Sequence, residues 1–267
     1  ICNWSELGGN AGAIALHARD DKSGTFDTFD QLVLQGARLA PAARRYESNE
    51  RLAEAVLGSE AALGFVPLAA VGGAKALAVA DGAAQTLAPS SLSIATEDYP
   101  LSRRLYLYTQ SAEQRPPVLD SFLSYAQSNA GQQVVADSGF VAQSLHPVAA
   151  VASDSRLDGW QRLNMNIRFE DGSSALDSKA QLDVQRLSRF LAEPTRQDMQ
   201  VKLVGYSRLD NATPAGLSRL RAQNVRWSLR QQGVDNKVAT LAGGDTTVAD
   251  AASRNVDRNR RVEVWVR

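Results

Sequence analysis

The feature that most constrains this chain is a gap in its periodicity. From His146 to Gly159 the sequence HPVAAVASDSRLDG is small and polar, holds one proline and sustains no amphipathic period, so it reads as a linker. A chain interrupted there buries apolar surface separately on each side, and 267 residues suffice for two cores at about 150 residues per domain. The expected organisation is a first segment over 1–145, a linker over 146–159 and a second domain over 160–267.

Each flank has its own pattern. Ala13 to Ala18 is an apolar run that predicts a buried strand, and Phe26, Phe29, Leu32 and Val33 recur at the spacing of a helix. Ser48-Asn49-Glu50 opens a second helix with Leu52, Val56 and Leu57 on its apolar stripe up to Gly58. Leu63 to Leu68 and Leu101 to Thr109 read as further strands, and Val118 to Ala136 as a helix ending near Gly139. Strands alternating with helices imply an α/β layer. Beyond the gap, strands are predicted at Arg162–Phe169, Met199–Tyr206, Val238–Ala242 and Arg261–Val266, and helices at Ser174–Leu191 and Gly216–Gln232.

Charge narrows the partners. Lys plus Arg and Asp plus Glu are 29 each, so no whole-chain field favours nucleic acid. Two clusters depart from that balance. Arg219, Arg221, Arg226 and Arg230 occur without one acid between them, and Arg254, Arg258, Arg260 and Arg261 crowd the last turns. Cys2 is the only cysteine, which excludes an intrachain disulfide and a cysteine-based metal cluster. His17 and His146 share no ligand spacing, so no metal site is assigned. No run approaches the roughly 20 apolar residues needed to cross a bilayer. The sequence opens on Ile1-Cys2-Asn3-Trp4-Ser5 without an initiator Met and is expected to begin inside a domain.

One turn carries chemistry. Arg19-Asp20-Asp21-Lys22-Ser23-Gly24-Thr25 joins a strand to a helix. Gly24 permits close backbone approach, the first-turn N–H groups lack intrahelical partners, and the positive helix end favours an oxyanion. Ser23 and Thr25 add hydroxyls, and Arg19 is placed to add a charge-assisted contact. Asp21 would repel an anion unless that anion carries a proton, as monohydrogen phosphate does and sulfate does not. No histidine stands in a nucleophile–base arrangement with Ser23, so no catalytic residue and no cofactor are assigned. The competing reading of the Ser-Gly-Thr string is an ordinary helix cap.

The wider string Ala18 to Phe29 resembles the signature of periplasmic phosphate-binding proteins of the PstS type, part of the type II solute-binding superfamily. Asn3-Trp4-Ser5-Glu6-Leu7-Gly8-Gly9, Glu47-Ser48-Asn49-Glu50, Leu63-Gly64-Phe65-Val66 and Gly139-Phe140-Val141 extend the resemblance over residues 1 to 145. It implies an α/β periplasmic-binding-protein-like lobe in which Arg19, Asp21, Ser23, Gly24 and Thr25 bind phosphate. Such proteins close two lobes on the ligand, and the earlier lobe's residues precede the Asn-Trp-Ser-Glu-Leu stretch, so an incomplete site is expected.

Residues 162 to 267 resemble an OmpA-like peptidoglycan-binding domain of α+β class. The resemblance rests on Ile167 to Ser173, Val204-Gly205-Tyr206-Ser207, Leu217 to Val225 and Asn259 to Val264. It implies that Arg221 pairs with the carboxylate of the diaminopimelate in the peptidoglycan stem peptide. Arg208 occupies the position where the family carries an Asp for the ligand ammonium, and Asp210 is the candidate to replace it. Together the resemblances imply a non-enzymatic envelope protein in the periplasm, associated with the cell wall or outer membrane. Its expected partners are phosphate or a similar oxyanion, peptidoglycan, and an ABC transporter or other envelope proteins. The alternative is a structural or adhesion adaptor whose small-ligand site is vestigial.

Overall fold

The computed structural model describes residues 1–150, 154–207, 216–243 and 247–267. They form two compact units, one of residues 1–77, 103–106 and 136–140, the other of 78–102, 107–135 and 141–267.

The first unit is built on three parallel strands in the order β2-β1-β3, with β1 at Ala15–Arg19, β2 at Arg44–Tyr46 and β3 at Ala62–Gly64. Helix α1, Gly24–Phe29, follows β1, and α2, Asn49–Leu57, follows β2. Ser48 caps α2 by accepting the Arg51 N–H at 3.2 Å, and Leu52 and Ala53 bury its inner face against β1 and β3. A Cβ on Gly64 would stand 2.7 Å from Leu52 Cδ2 and 3.1 Å from His17 O, so only glycine lets β3 lie this close. Phe29 and Phe65 stack at 3.9 Å between centroids and fix the end of α1.

Two predicted elements are shorter than their patterns. The helix through Val33 changes at Asp30 into a π turn that ends at Gln35, whose φ is +50°. The strand through Leu68 stops at Gly64, short of Pro67, which has no N–H for a ladder.

The second unit contains a five-stranded sheet ordered β4-β5-β8-β6-β7. Its strands are β4 at Pro147–Val148, β5 at Gln161–Arg168, β6 at Val201–Gly205, β7 at Val238–Ala242 and β8 at Arg261–Val266. Only β6 and β7 run parallel. Helices α6, Ser178–Leu191, and α7, Leu217–Gln231, cover one face. That face is apolar because both central strands alternate: Leu163, Met165 and Ile167 of β5 join Val262, Val264 and Val266 of β8 in one core with Val184, Leu187, Val225 and Leu229. Helix α6 starts at Ser178 and not at Ser174, because Asp177 caps it by accepting the Ala180 N–H at 2.7 Å.

The other face is polar and still buried. Arg162, Asn166 and Arg168 of β5 and Arg261 and Glu263 of β8 lie beneath residues 88–102, which include α3, Ser91–Ala95. Asp98 is the centre of this layer. Its carboxylate accepts from Arg162 at 2.9 Å, Asn166 at 2.9 Å, Arg168 at 3.2 Å and Thr96 Oγ1 at 2.9 Å. Glu263 accepts from Arg261 at 2.8 Å and from Trp265 Nε1 at 3.2 Å, and lies 3.3 Å from Arg162.

Elsewhere the structure corrects the sequence pattern. Leu101 to Thr109 is not a strand, since neither sheet offers it a neighbour, and Leu105, Tyr106, Leu107 and Tyr108 are 61–91% exposed. The long helix from Val118 divides into α4, Pro117–Gln127, and α5, Asn129–Asp137. Ser128 adopts an extended conformation and its Oγ accepts the Gly131 N–H at 3.2 Å, which starts a new helix. Within 146–159, β4 pairs with β5, the His146 N–H donates to Asn164 Oδ1 at 2.9 Å, and Leu157 is buried with Val204, Tyr206 and Trp265.

The Asp98 layer yields the first prediction. Burial alone would raise the Asp98 pKa, but Arg162, Arg261 and Arg168 bring it below the ordinary 3.8. A carboxylate with a depressed folded pKa stabilises above the unfolded value of about 4 and loses that contribution as pH falls through the folded value. Asp98→Asn leaves two buried guanidiniums short of a counter-charge and should cost about 3 kcal/mol in urea unfolding at neutral pH. The variant should also lose less stability than wild type on acidification below about pH 4; equal acid sensitivity would remove Asp98 from this role.

Candidate functional site

Two places bring together the residues singled out by the sequence, one in each unit. In the first, β1 delivers the chain into the turn at Asp20–Ser23. Ser23 is 7% exposed and caps α1, its Oγ accepting the Thr25 N–H at 3.2 Å while its own N–H donates to Asp20 O. Thr28 Oγ1 donates to Gly24 O at 2.8 Å and closes the first turn. The Gly24 N–H has no acceptor among the described residues.

Arg19, at the end of β1, bonds to the connection between β2 and α2. Its Nε donates to Tyr46 O at 3.2 Å, its Nη2 to Glu47 O at 2.7 Å and its Nη1 to Asn49 Oδ1, so the guanidinium braces the connection between β2 and α2. Asp21 forms an ion pair with Arg45, whose guanidinium also lies over the Phe26 ring at 4.4 Å. His17 stacks on Tyr46 and shares a 2.9 Å hydrogen bond with its hydroxyl; burial, with Arg44 nearby, lowers its pKa.

A cation without any signal in the motif also stands beside the turn. A Cβ on Gly24 would stand 3.4 Å from Arg103 Nη2. Arg103 thus stands beside the first residue of α1. Its signal in the sequence was only Arg103-Arg104 following Ser102, far from the motif and without a period.

In the second unit the site is the edge where β5 and β6 end beside α7. A Cβ on Gly205 would overlap Ser218 O, so glycine lets the first turn of α7 pack against the end of β6. Arg221 is 1% exposed and points inward. Its Nε donates to Ser173 O at 2.9 Å, its Nη2 to Glu170 O at 3.1 Å and its Nη1 to Tyr206 O at 3.3 Å. The guanidinium also lies 5.3 Å from the Phe169 ring centroid. Burial, with Arg260 nearby, pushes its pKa down to about 10, so it remains a cation at neutral pH. Among the described residues three of its five N–H donors are engaged, and it ties the loop after β5 to the end of β6. Asn224 donates to Ser174 O at 2.7 Å and fastens the same loop one turn further along. Arg208 and Asp210 lie outside the described residues.

Residues 168–261 match the OmpA family, and residues 1–130 match a PBP superfamily domain. The earlier and later parts of the chain are thus similar to two different families. The phosphate-binding protein PstS of Bacillus subtilis is 30% identical over 143 residues, covering 53% of this chain and 45% of the relative. The chain thus spans less than half the length of that relative. A possible phosphate-binding protein from Planctomyces limnophilus is 29% identical over 53% of each chain, with a TM-score of 0.47. The C-terminal domain of Helicobacter pylori MotB is 24% identical over 38% of this chain and 83% of its own, with a TM-score of 0.34. Neither matched family is one of enzymes. Among the described residues, no helix is long and apolar enough to cross a membrane.

The geometry at Arg221, within the residues that match the OmpA family, makes a prediction. Lysine presents one compact ammonium in place of a planar fork and cannot reach three divergent carbonyls. Arg221→Lys should lower unfolding stability by about 2 kcal/mol, read as a shift in urea midpoint at constant slope. An unchanged midpoint would mean that the three carbonyl contacts contribute nothing.

Proposed function

We propose that this chain is a non-enzymatic binding protein of the bacterial envelope that takes phosphate or a related oxyanion through its PBP superfamily domain and associates with peptidoglycan through its OmpA family domain. The proposal assigns ligand binding to the segment over 1–145 and wall association to 160–267, which places the protein in the periplasm at the wall or outer membrane. The observation that carries it is the pairing of the two families in one chain.

At the first site, the free Gly24 N–H and the Ser23 and Thr25 hydroxyls are the donors for an oxyanion, with Arg103 as counter-charge. Arg19 and Asp21 act one step back, Arg19 bracing the β2–α2 connection and Asp21 holding Arg45. At the second site, Arg221 positions the loop at Glu170–Ser173 and offers its remaining donors to a stem-peptide carboxylate. Asp210 takes the ligand ammonium, and Arg208 shifts the balance towards the carboxylate. An ABC transporter or another envelope protein is the proposed macromolecular partner.

A second reading has its own support. Arg19 and Asp21 both bond to neighbouring protein groups, as they would in an adaptor whose small-ligand site is vestigial. Phosphate calorimetry on the full-length gene product separates the two readings. Under the first, Arg103→Gln should weaken binding by about tenfold or more, the loss of one charge-assisted contact of about 1.5 to 3 kcal/mol, with an unchanged melting temperature. Absence of phosphate binding would leave the adaptor reading. For the wall, Asp210→Ala should reduce recovery in a peptidoglycan pull-down, and recovery equal to wild type would remove Asp210 from the site.

A further inference from the structure

Both basic clusters of the sequence are partly engaged in the structure: in α7, Arg221 is buried on carbonyls, and Arg230 donates to Val234 O and Asn236 O and lies 3.9 Å from Asp235. Arg258, Arg260 and Arg261 are engaged, by Tyr99 O, by Phe169 O and by Glu263 respectively. Arg219 and Arg226 of α7 have no hydrogen-bond or acidic partner among the described residues, and both are exposed. The helix carries no acid at all, and the neighbouring α6 carries only Asp183, which is buried.

Apolar side chains share this face. Trp227 is 66% exposed and Leu220 48% exposed. At 100° per residue, Arg219, Leu220, Gln223, Arg226, Trp227 and Arg230 fall within an arc of about 120°, with the arginines along one border and Leu220 and Trp227 along the other. The stripe runs for about 16 Å at 1.5 Å per residue. Leu182 on α6, which packs against α7, is a further exposed apolar side chain of the helical layer, at 61%.

We propose that the solvent face of α7 docks the protein on a bilayer surface rich in anionic phospholipid. Free guanidiniums match lipid phosphates in charge and in fork geometry. An indole beside them sits well at the boundary between headgroups and acyl chains. Leu220 favours a bilayer, which offers an apolar interior next to its phosphates, over an anionic polysaccharide, which offers charge alone to a leucine. The helix lies in the plane of the surface, by partial insertion of one stripe and without spanning.

The test uses the full chain and sedimentation with vesicles of phosphatidylglycerol mixed with phosphatidylcholine, against vesicles of phosphatidylcholine alone. Wild type should partition onto the anionic vesicles and weaken as salt is raised. Each arginine should contribute about fivefold, so the double variant R219Q/R226Q should bind about twenty-five-fold less well. Trp227→Ala should weaken binding and abolish the blue shift of tryptophan emission on vesicle addition. Both variants alter exposed positions, and unchanged thermal melts together with unchanged peptidoglycan recovery would separate this surface from the wall-binding site. Equal partitioning onto neutral vesicles, or anionic binding indifferent to R219Q/R226Q, would overturn the proposal. So would binding to a soluble polyanion that matches vesicle binding and is indifferent to Trp227→Ala.

Discussion

The buried carboxylate of Asp98 is the constraint on which the second unit depends. A strand such as β5, with Arg162, Asn164, Asn166 and Arg168 on alternate positions, ordinarily turns that side to water. Here the side is covered, so each guanidinium and amide needs a partner inside the protein. Asp98 meets three of them at once, and Thr96 O accepts further bonds from Asn166 at 3.2 Å and Arg168 at 2.6 Å. Between these two residues stands Glu97 with φ +59°. A left-handed non-glycine residue costs about 1 kcal/mol, and here it turns the chain so that its neighbours on both sides face β5. Residues far apart in the sequence are thereby made into one folded body, with a polar layer on one side of the sheet and an apolar core on the other.

What the sequence revealed divides along the range of the interactions involved. Val238–Ala242 and Arg261–Val266 have the same bounds in pattern and structure, because Val262, Val264 and Val266 alternate with side chains of different chemistry. The alternation of β5 was equally plain. The cover on its polar side was not, since a row of arginines and asparagines looks the same whether it meets water or Asp98. Leu101–Thr109 has the composition of a strand, but strandhood is a property of two segments, and a single segment cannot disclose that no neighbour pairs with it. Ser128 is hidden for the opposite reason, since apolar spacing continues through a break that one serine cap introduces.

The same distinction governs the sites. The Ser23 turn was legible because a cap acts over two or three residues of one stretch. The direction of Arg19 depends on Tyr46, Glu47 and Asn49, and the approach of Arg103 to Gly24 spans nearly eighty positions. Neither has a periodic signature. Arg221 is an intermediate case: its residue type and helix were legible from the string around it, while its engagement with Glu170, Ser173 and Tyr206 came from the folding of a distant loop onto α7.

The strand order β4-β5-β8-β6-β7 also sets a timetable for synthesis. β5 and β6 do not touch as neighbours, since β8 lies between them and bonds to both. When a ribosome has released β5, β6 and β7, the centre of the sheet is still missing. The stretch from Arg168 to Arg261 takes about 5 to 20 s to make at ordinary elongation rates. Through that interval β5 presents Leu163, Met165 and Ile167 on one face and, on the edge away from β4, unpaired hydrogen-bonding groups. A stall or premature stop before Arg261 therefore leaves an aggregation-prone sheet in place of a shortened but folded protein.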